Sequence, residues 1–141
     1  MPGKTLKILN TEINPGQRTV LNLDIARLHT HTKIEVPVIV ERGKKDGPCL
    51  LLLAGIHGDE VNGVEIVRKL ISQKYNRPTA GTVICVPVLN VFGFLNQTRD
   101  FPDGRDLNRF FPGTKTGSLA SRFAYYFMKH IVPKVDCFHD F

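Results

Sequence analysis

The chain has 141 residues, 42% of them apolar, and a formal net charge of +6 at pH 7. That length supports one domain with a sizeable core, and the apolar fraction is ordinary for a globular protein. No run is long enough to span a bilayer, Met1-Pro2-Gly3-Lys4-Thr5 lacks the apolar core of a signal peptide, and the basic residues are scattered rather than gathered in a stripe. Membrane insertion, secretion and nucleic-acid binding are therefore not expected, and a cytoplasmic protein with an anionic small-molecule partner is.

From Val20 to Leu28 apolar and polar residues alternate, with Leu21, Leu23 and Ile25 on one side. This pattern predicts a half-buried strand. The polar turn His29-Thr30-His31-Thr32 follows, then a second β-rich segment from Lys33 to Glu41 with Ile34, Val36, Val38 and Val40 on one face. The pair reads as a hairpin. Gly43-Lys44-Lys45-Asp46-Gly47-Pro48 is a turn cluster.

Cys49 to Ile56 is continuously apolar, as buried strands of α/β sheets are. A helix is predicted from about Asp59, with Val64, Val67, Leu70 and Ile71 as its core stripe, ending before Pro78. Thr82 to Val88 is the next buried strand, where Pro87 marks either an edge position or the strand's end. Asn90 to Gly117 is rich in glycine and proline and reads as one long irregular loop, the kind usually kept for function. Ser118 caps a second helix with the stripe Leu119, Phe123, Phe127 and Ile131, which Pro133 ends. Val135 to Phe141 begins another strand. Strands alternating with helices predict an α/β fold with a mixed, largely parallel sheet flanked by helices, behind an N-terminal β-hairpin. Residues 1–47 form the hairpin region and 48–141 the α/β part. Ligands of such sheets bind at the carboxyl ends of the strands, which gathers His57 and Asn90 at one edge. The three cysteines, Cys49, Cys85 and Cys137, each lie in an apolar run and are expected to be buried, reduced thiols.

Two motifs carry chemistry. In Gly55-Ile56-His57-Gly58-Asp59-Glu60, a histidine and a glutamate follow a strand across a tight glycine-permitted turn, so both side chains can face one point. Zinc accepts imidazole nitrogen and carboxylate oxygen, and catalytic sites take three protein ligands plus water. A loop histidine beside a first-turn carboxylate favoured by the helix dipole accounts for the same spacing. The second motif lies in the loop, where Arg99 to Gly113 concentrates arginine, aspartate and asparagine. Arginine's planar fork suits a carboxylate ligand, and a solvated surface loop with ion pairs has the same composition.

Taken together, Gly55 to Glu60, Val88-Leu89-Asn90 and Asp106-Leu107-Asn108-Arg109-Phe110-Phe111-Pro112-Gly113 resemble the succinylglutamate desuccinylase and aspartoacylase family, relatives of the zinc carboxypeptidases. The resemblance runs over nearly the whole chain. It implies a zinc-carboxypeptidase-like fold and hydrolysis of the amide bond of an N-acyl amino acid or similar small carboxylate. It implies His57 and Glu60 as zinc ligands and Asp106 as the carboxylate that orients His57. It implies Asn108 and Arg109 as the substrate-carboxylate anchors, and Arg99, with Arg105 nearby, as the catalytic residue that polarises the scissile carbonyl.

The third zinc ligand of that family is a histidine in an Asp-Leu-His-Thr-like segment, which places it immediately after Phe141, and its catalytic glutamate lies farther on. The resemblance thus implies an incomplete domain, truncated after the strand ending at Phe141 and inactive alone. His139 stands three residues before the missing ligand, on the opposite face of a strand, and reads as a strand or surface histidine. His29 and His31 read as turn residues, and His130 as a histidine suited to a helix C-terminus. An unpaired strand edge predicts a homo-oligomer. The competing reading is a non-catalytic binding or structural module that keeps the hydrolase fold.

Overall fold

A computed structural model of the chain describes residues 5–27 and 31–141, with the side chains of 25–27 left aside. Two short strands, β1 (Leu6–Ile8) and β2 (Thr11–Ile13), form an antiparallel pair. They are followed by β3 (Arg18–Arg27), β4 (Lys33–Arg42), β5 (Lys45–Leu53), α1 (Val61–Ser72), β6 (Ala80–Val86), α2 (Val91–Asn96), a 3-10 turn at Leu107–Phe110, α3 (Leu119–His130), a second 3-10 turn at Val132–Lys134 and β7 (Cys137–Asp140).

The five longer-range strands form one sheet in the order β3-β4-β6-β5-β7. It is mixed: β3–β4 and β4–β6 are antiparallel, while β6–β5 and β5–β7 are parallel. The hairpin alternation holds, since Leu21, Leu23, Val36, Val38 and Val40 are buried and Val20 is exposed. Strand β4 carries the hairpin into the same sheet as β6, so both halves of the sequence share one core. Pro87 falls just past β6, which is interior, and so marks the strand's end.

Each face of the sheet has its own cover. Val67 and its partly buried neighbours Val64 and Ile71 lay α1 over Ala54 and Cys85. On the other face α3 buries Ala120, Phe123, Ala124 and Phe127 against Leu51, Leu53 and Ile84. Helix α3 begins as expected, with the Ser118 hydroxyl accepting from the Ser121 N–H at 3.2 Å; the Asp103 carboxylate accepts a further N–H, from Ala120, at 2.9 Å. Among the described residues, no helix is long and apolar enough to cross a membrane.

Three expectations need correction. The segment Gly43 to Pro48 is not simply a turn: β5 starts at Lys45, beside Ala80, and passes a register irregularity before Cys49. The loop from Asn90 to Gly117 is not structureless, for it contains α2 and a 3-10 turn and buries Phe101 and Leu107 in the core. Cys137 is exposed, because β7 is a sheet edge whose residues all face solvent. His29 lies outside the described residues, and His31 is exposed.

Burial pushes the thiols of Cys49 and Cys85 up to about 11, with Asp136 and Cys137 adding to the first and Glu41 to the second, where Asn76 opposes. Unfolded thiols ionise near pH ~8.5. The unfolded chain therefore releases protons that the folded chain retains, and stability falls as pH rises from about 8.5 toward 11. Alkylation at mildly alkaline pH, followed by mass spectrometry, is expected to modify Cys137 rapidly and Cys49 and Cys85 only in denaturant. Equal rates at all three would contradict this packing.

Candidate active site

The site forms where the three parallel strands end. The chain leaves β5 through Gly55, whose φ of +67° is a left-handed conformation that glycine adopts freely. The Gly55 carbonyl accepts the Asn90 N–H at 2.8 Å, tying the tip of β5 to the end of β6. The turn then presents His57, 7% exposed, and Glu60, which caps α1 without a side-chain bond. Helix α2 presses directly on this turn: a Cβ at Gly58 would overlap the backbone of Gly93 and Phe94.

The His57 ring is held at both nitrogens. Its Nε2–H donates to Asp106 Oδ1 at 2.9 Å, and its Nδ1 lies 3.2 Å from Glu60 Oε1. Asp106 is the N-cap of the 3-10 turn and also accepts the Asn108 backbone N–H at 3.1 Å. Burial alone would raise the Asp106 carboxyl, but the His57 hydrogen bond and charge, the Asn108 N–H and Arg99 together hold it below the usual carboxylate range. An ionised carboxylate only accepts, so a ring proton sits on Nε2 in this bond, and Nδ1 is the nitrogen turned toward Glu60.

Arg99 stands over both acids, with Nη1 3.4 Å from Glu60 Oε1 and both Nε and Nη2 3.3 Å from Asp106 Oδ2. Arg105 points elsewhere, to Asp103 at 3.8 Å and over the Phe110 ring. Arg109 approaches Asp106 Oδ2 only to 3.6 Å and keeps its side chain 82% exposed, free to meet a solute. Asn108 stands between this charged cluster and an apolar pocket of about 310 Å³ bordered by Ile56, Phe111, Phe127 and Phe138. All six residues singled out from the sequence, His57, Glu60, Arg99, Asp106, Asn108 and Arg109, thus meet at one edge.

The geometry of the first two fits a metal. Nδ1 and a carboxylate oxygen face each other at 3.2 Å, an approach that needs either a second ring proton or a cation between them. A tetrahedral zinc with donors at ~2.1 Å sets its ligand atoms ~3.4 Å apart. Among the described residues no group of three or more His, Cys, Asp and Glu side chains is arranged to hold a metal, so the pair lacks a third member here. His139 is exposed, with its ring edge-on to Phe141 at 4.6 Å. Asp140, at the end of β7, lies in the field of the cluster: burial and Glu60 raise its carboxyl, and His57 and His139 oppose them.

Asn90 was the residue that sequence reasoning left without a role. It is fully buried; its Oδ1 accepts the Gly93 N–H at 2.9 Å, and its Nδ2 donates to the carbonyls of Asp100 at 3.0 Å and Arg99 at 3.3 Å. It therefore caps α2 and sets the backbone that carries Arg99. Its position right after an apolar strand, among turn residues, was the available signal. Replacing it with alanine leaves buried groups unpaired and is expected to cost about 1–3 kcal/mol in urea unfolding. Asn90→Asp, which sets a second oxygen against the two carbonyls, is expected to cost at least as much; wild-type stability in both variants would contradict this role.

Known proteins resemble this chain over most of its length. The profile of the succinylglutamate desuccinylase/aspartoacylase catalytic domain matches residues 46–141. The chain is 39% identical over 109 residues to the N-alpha-acetyl-L-2,4-diaminobutyric acid deacetylase of Halomonas elongata, covering 76% of this chain and 31% of that protein. An aspartoacylase family protein from Mesorhizobium loti superposes with a TM-score of 0.76 at 31% identity, over 90% of this chain and 40% of its own. The product-bound ectoine utilization protein of Ruegeria pomeroyi gives 0.74 at 27% identity, over 87% of this chain and 39% of its own. The chain therefore spans well under half the length of these relatives, and it belongs to the succinylglutamate desuccinylase/aspartoacylase family.

Proposed function

We propose that this chain forms part of a zinc-dependent amidohydrolase that removes the acyl group from an N-acyl amino acid or a similar small carboxylate. The observation that carries this reading is the opposed pair, His57 Nδ1 and Glu60 Oε1 at 3.2 Å, with the other ring nitrogen committed to Asp106. Family membership supports it, and so does the deacetylase activity named for the Halomonas elongata relative.

In this reading His57 and Glu60 hold the zinc, with a third ligand from outside the described residues. Zinc in such a site supplies Lewis acidity toward the amide carbonyl and an acidified water. Asp106 keeps the proton on Nε2, so that Nδ1 stays available as a donor. Arg99 directs guanidinium N–H groups at the region where charge develops on the carbonyl oxygen. Arg109 and Asn108 bind the substrate carboxylate at the exposed rim, the arginine through its two-pronged fork.

Two ligands bind zinc more weakly than three. We therefore expect the 141-residue chain alone to bind zinc through His57 and to hydrolyse amides negligibly. Zinc titration against a competing chelator dye is expected to show binding that His57→Ala abolishes and that Asp106→Asn weakens by about 10–100-fold. Unchanged zinc affinity in His57→Ala would overturn the metal assignment. Amide hydrolysis by the chain that is lost in His57→Ala and with chelator would overturn the expected inactivity.

Self-association is the second part of the proposal. Among the described residues strand β7 pairs only with β5, and Phe138 on it is 69% exposed. An open, apolar edge invites pairing with another chain. Light scattering is expected to give a dimer or larger; a well-folded monomer would contradict it.

A further inference from the structure

A further cavity lies away from the candidate active site. It has a volume of about 590 Å³ and lies at the opposite end of the sheet, where β3 begins, β4 ends, β5 begins and the loop from α1 reaches β6. Strand β5 spans Lys45–Leu53, so at ~3.3 Å per residue the cavity is roughly 25 Å from the His57 end.

Its lining is strongly basic. Its cations come from three segments of the chain, Arg18, the run Arg42, Lys44 and Lys45, and Arg77, with Glu41 the one carboxylate among the lining residues. Glu41 is 8% exposed, and its Oε1 receives Arg18 Nε at 3.2 Å and Arg77 Nε at 3.3 Å. A buried carboxylate is tolerable only when paired, and this one holds two guanidinium groups in fixed positions. Both arginine side chains are still about half exposed, 47% and 46%, so N–H donors beyond those bound to Glu41 can meet a ligand. Arg42 is anchored separately, donating to the Ile13 carbonyl and, at 3.2 Å, to Asp46. Lys44 and Lys45 are exposed and have no carboxylate partner among the described residues.

We propose that this cavity is a second binding site, for a small molecule carrying clustered carboxylate or phosphate oxygens. The arrangement suits such a ligand in three ways. The positive charge exceeds what Glu41 neutralises. Two of the cations are arginines preset by a buried partner, which lowers the entropy lost on binding. The volume falls within the range of small-ligand sites, roughly 300–1,000 Å³. Its concavity argues against a nucleic-acid surface, which calls for a basic stripe along a face.

The test is an amide-shift NMR titration of the full chain with inorganic phosphate and, separately, succinate, at fixed ionic strength. Saturating shifts at Gly43, Lys44, Lys45 and Thr79 are expected, with an apparent Kd on the order of 1 mM or tighter. The anion that binds more tightly assigns the ligand class. The double variant Lys44→Glu, Lys45→Glu is expected to raise that Kd by at least about tenfold while the rest of the spectrum stays in place. His57→Ala is expected to leave the response intact. Absence of saturation with either anion would overturn the proposal, as would shifts confined to Asn108 and Arg109. Duplex DNA binding more tightly than both small anions over the same residues would overturn it in favour of a nucleic-acid surface.

Discussion

The hydrogen bond from His57 Nε2–H to Asp106 Oδ1, 2.9 Å long, is the constraint on which the rest of the site depends. It joins two segments 49 residues apart in sequence, the turn after β5 and the 3-10 turn before α3. It fixes the tautomer of a buried ring and thereby decides which nitrogen can act as a donor. It also leaves the second Asp106 oxygen free to gather Arg99 and, more loosely, Arg109. One carboxylate thus orients the histidine, collects the arginines and caps the turn that carries Asn108.

That carboxylate is placed by packing rather than by local propensity. Leu107, next to it, is fully buried, and Phe101 is 1% exposed against Phe123 of α3 with ring centroids 5.2 Å apart. Phe111 meets Phe127 edge-on one turn farther along the same helix. A segment with little regular structure is pinned by three apolar anchors, while Asn90 fixes its beginning. On the other side, contact between Gly58 and α2 leaves no room for a side chain, so the His57 turn has little freedom to shift. A site built on such supports is preorganised.

Much of this was legible in the residues. The apolar run Cys49 to Ile56 and the alternation in Leu21, Leu23, Val36 and Val38 depend on burial periodicity, which the sheet respects. The stripe of Phe123 and Phe127, with Ser118 before it, located α3 for the same reason. The rule that strand ends gather a site placed His57 and Asn90 at this edge, and the resemblance carried by the paired motifs implied Glu60, Arg99, Asp106, Asn108 and Arg109 as their companions. What was not legible depends on tertiary partners. Helix α2 is six residues with a glycine inside, too short to signal itself, and forms because Asn90 caps it and Gly58 admits it. Lys45 to Pro48 has turn residues but is drawn beside Ala80 at the start of β6. Cys137 sits in an apolar stretch, yet composition cannot tell an edge strand from an interior one. The basic cavity was invisible as well, since Arg18, the segment from Glu41 to Lys45 and Arg77 lie apart in sequence and converge only through strand order.

The most direct test of the account is the protonation and metal response of the His57 ring, read by long-range proton–nitrogen NMR as zinc is added. The account predicts that Nε2 keeps its proton throughout while the Nδ1 resonance moves with zinc, and that Asp106→Asn disturbs both signals. Zinc binding through Nε2, a proton resident on Nδ1 alone, or a His57 ring indifferent to zinc would contradict it.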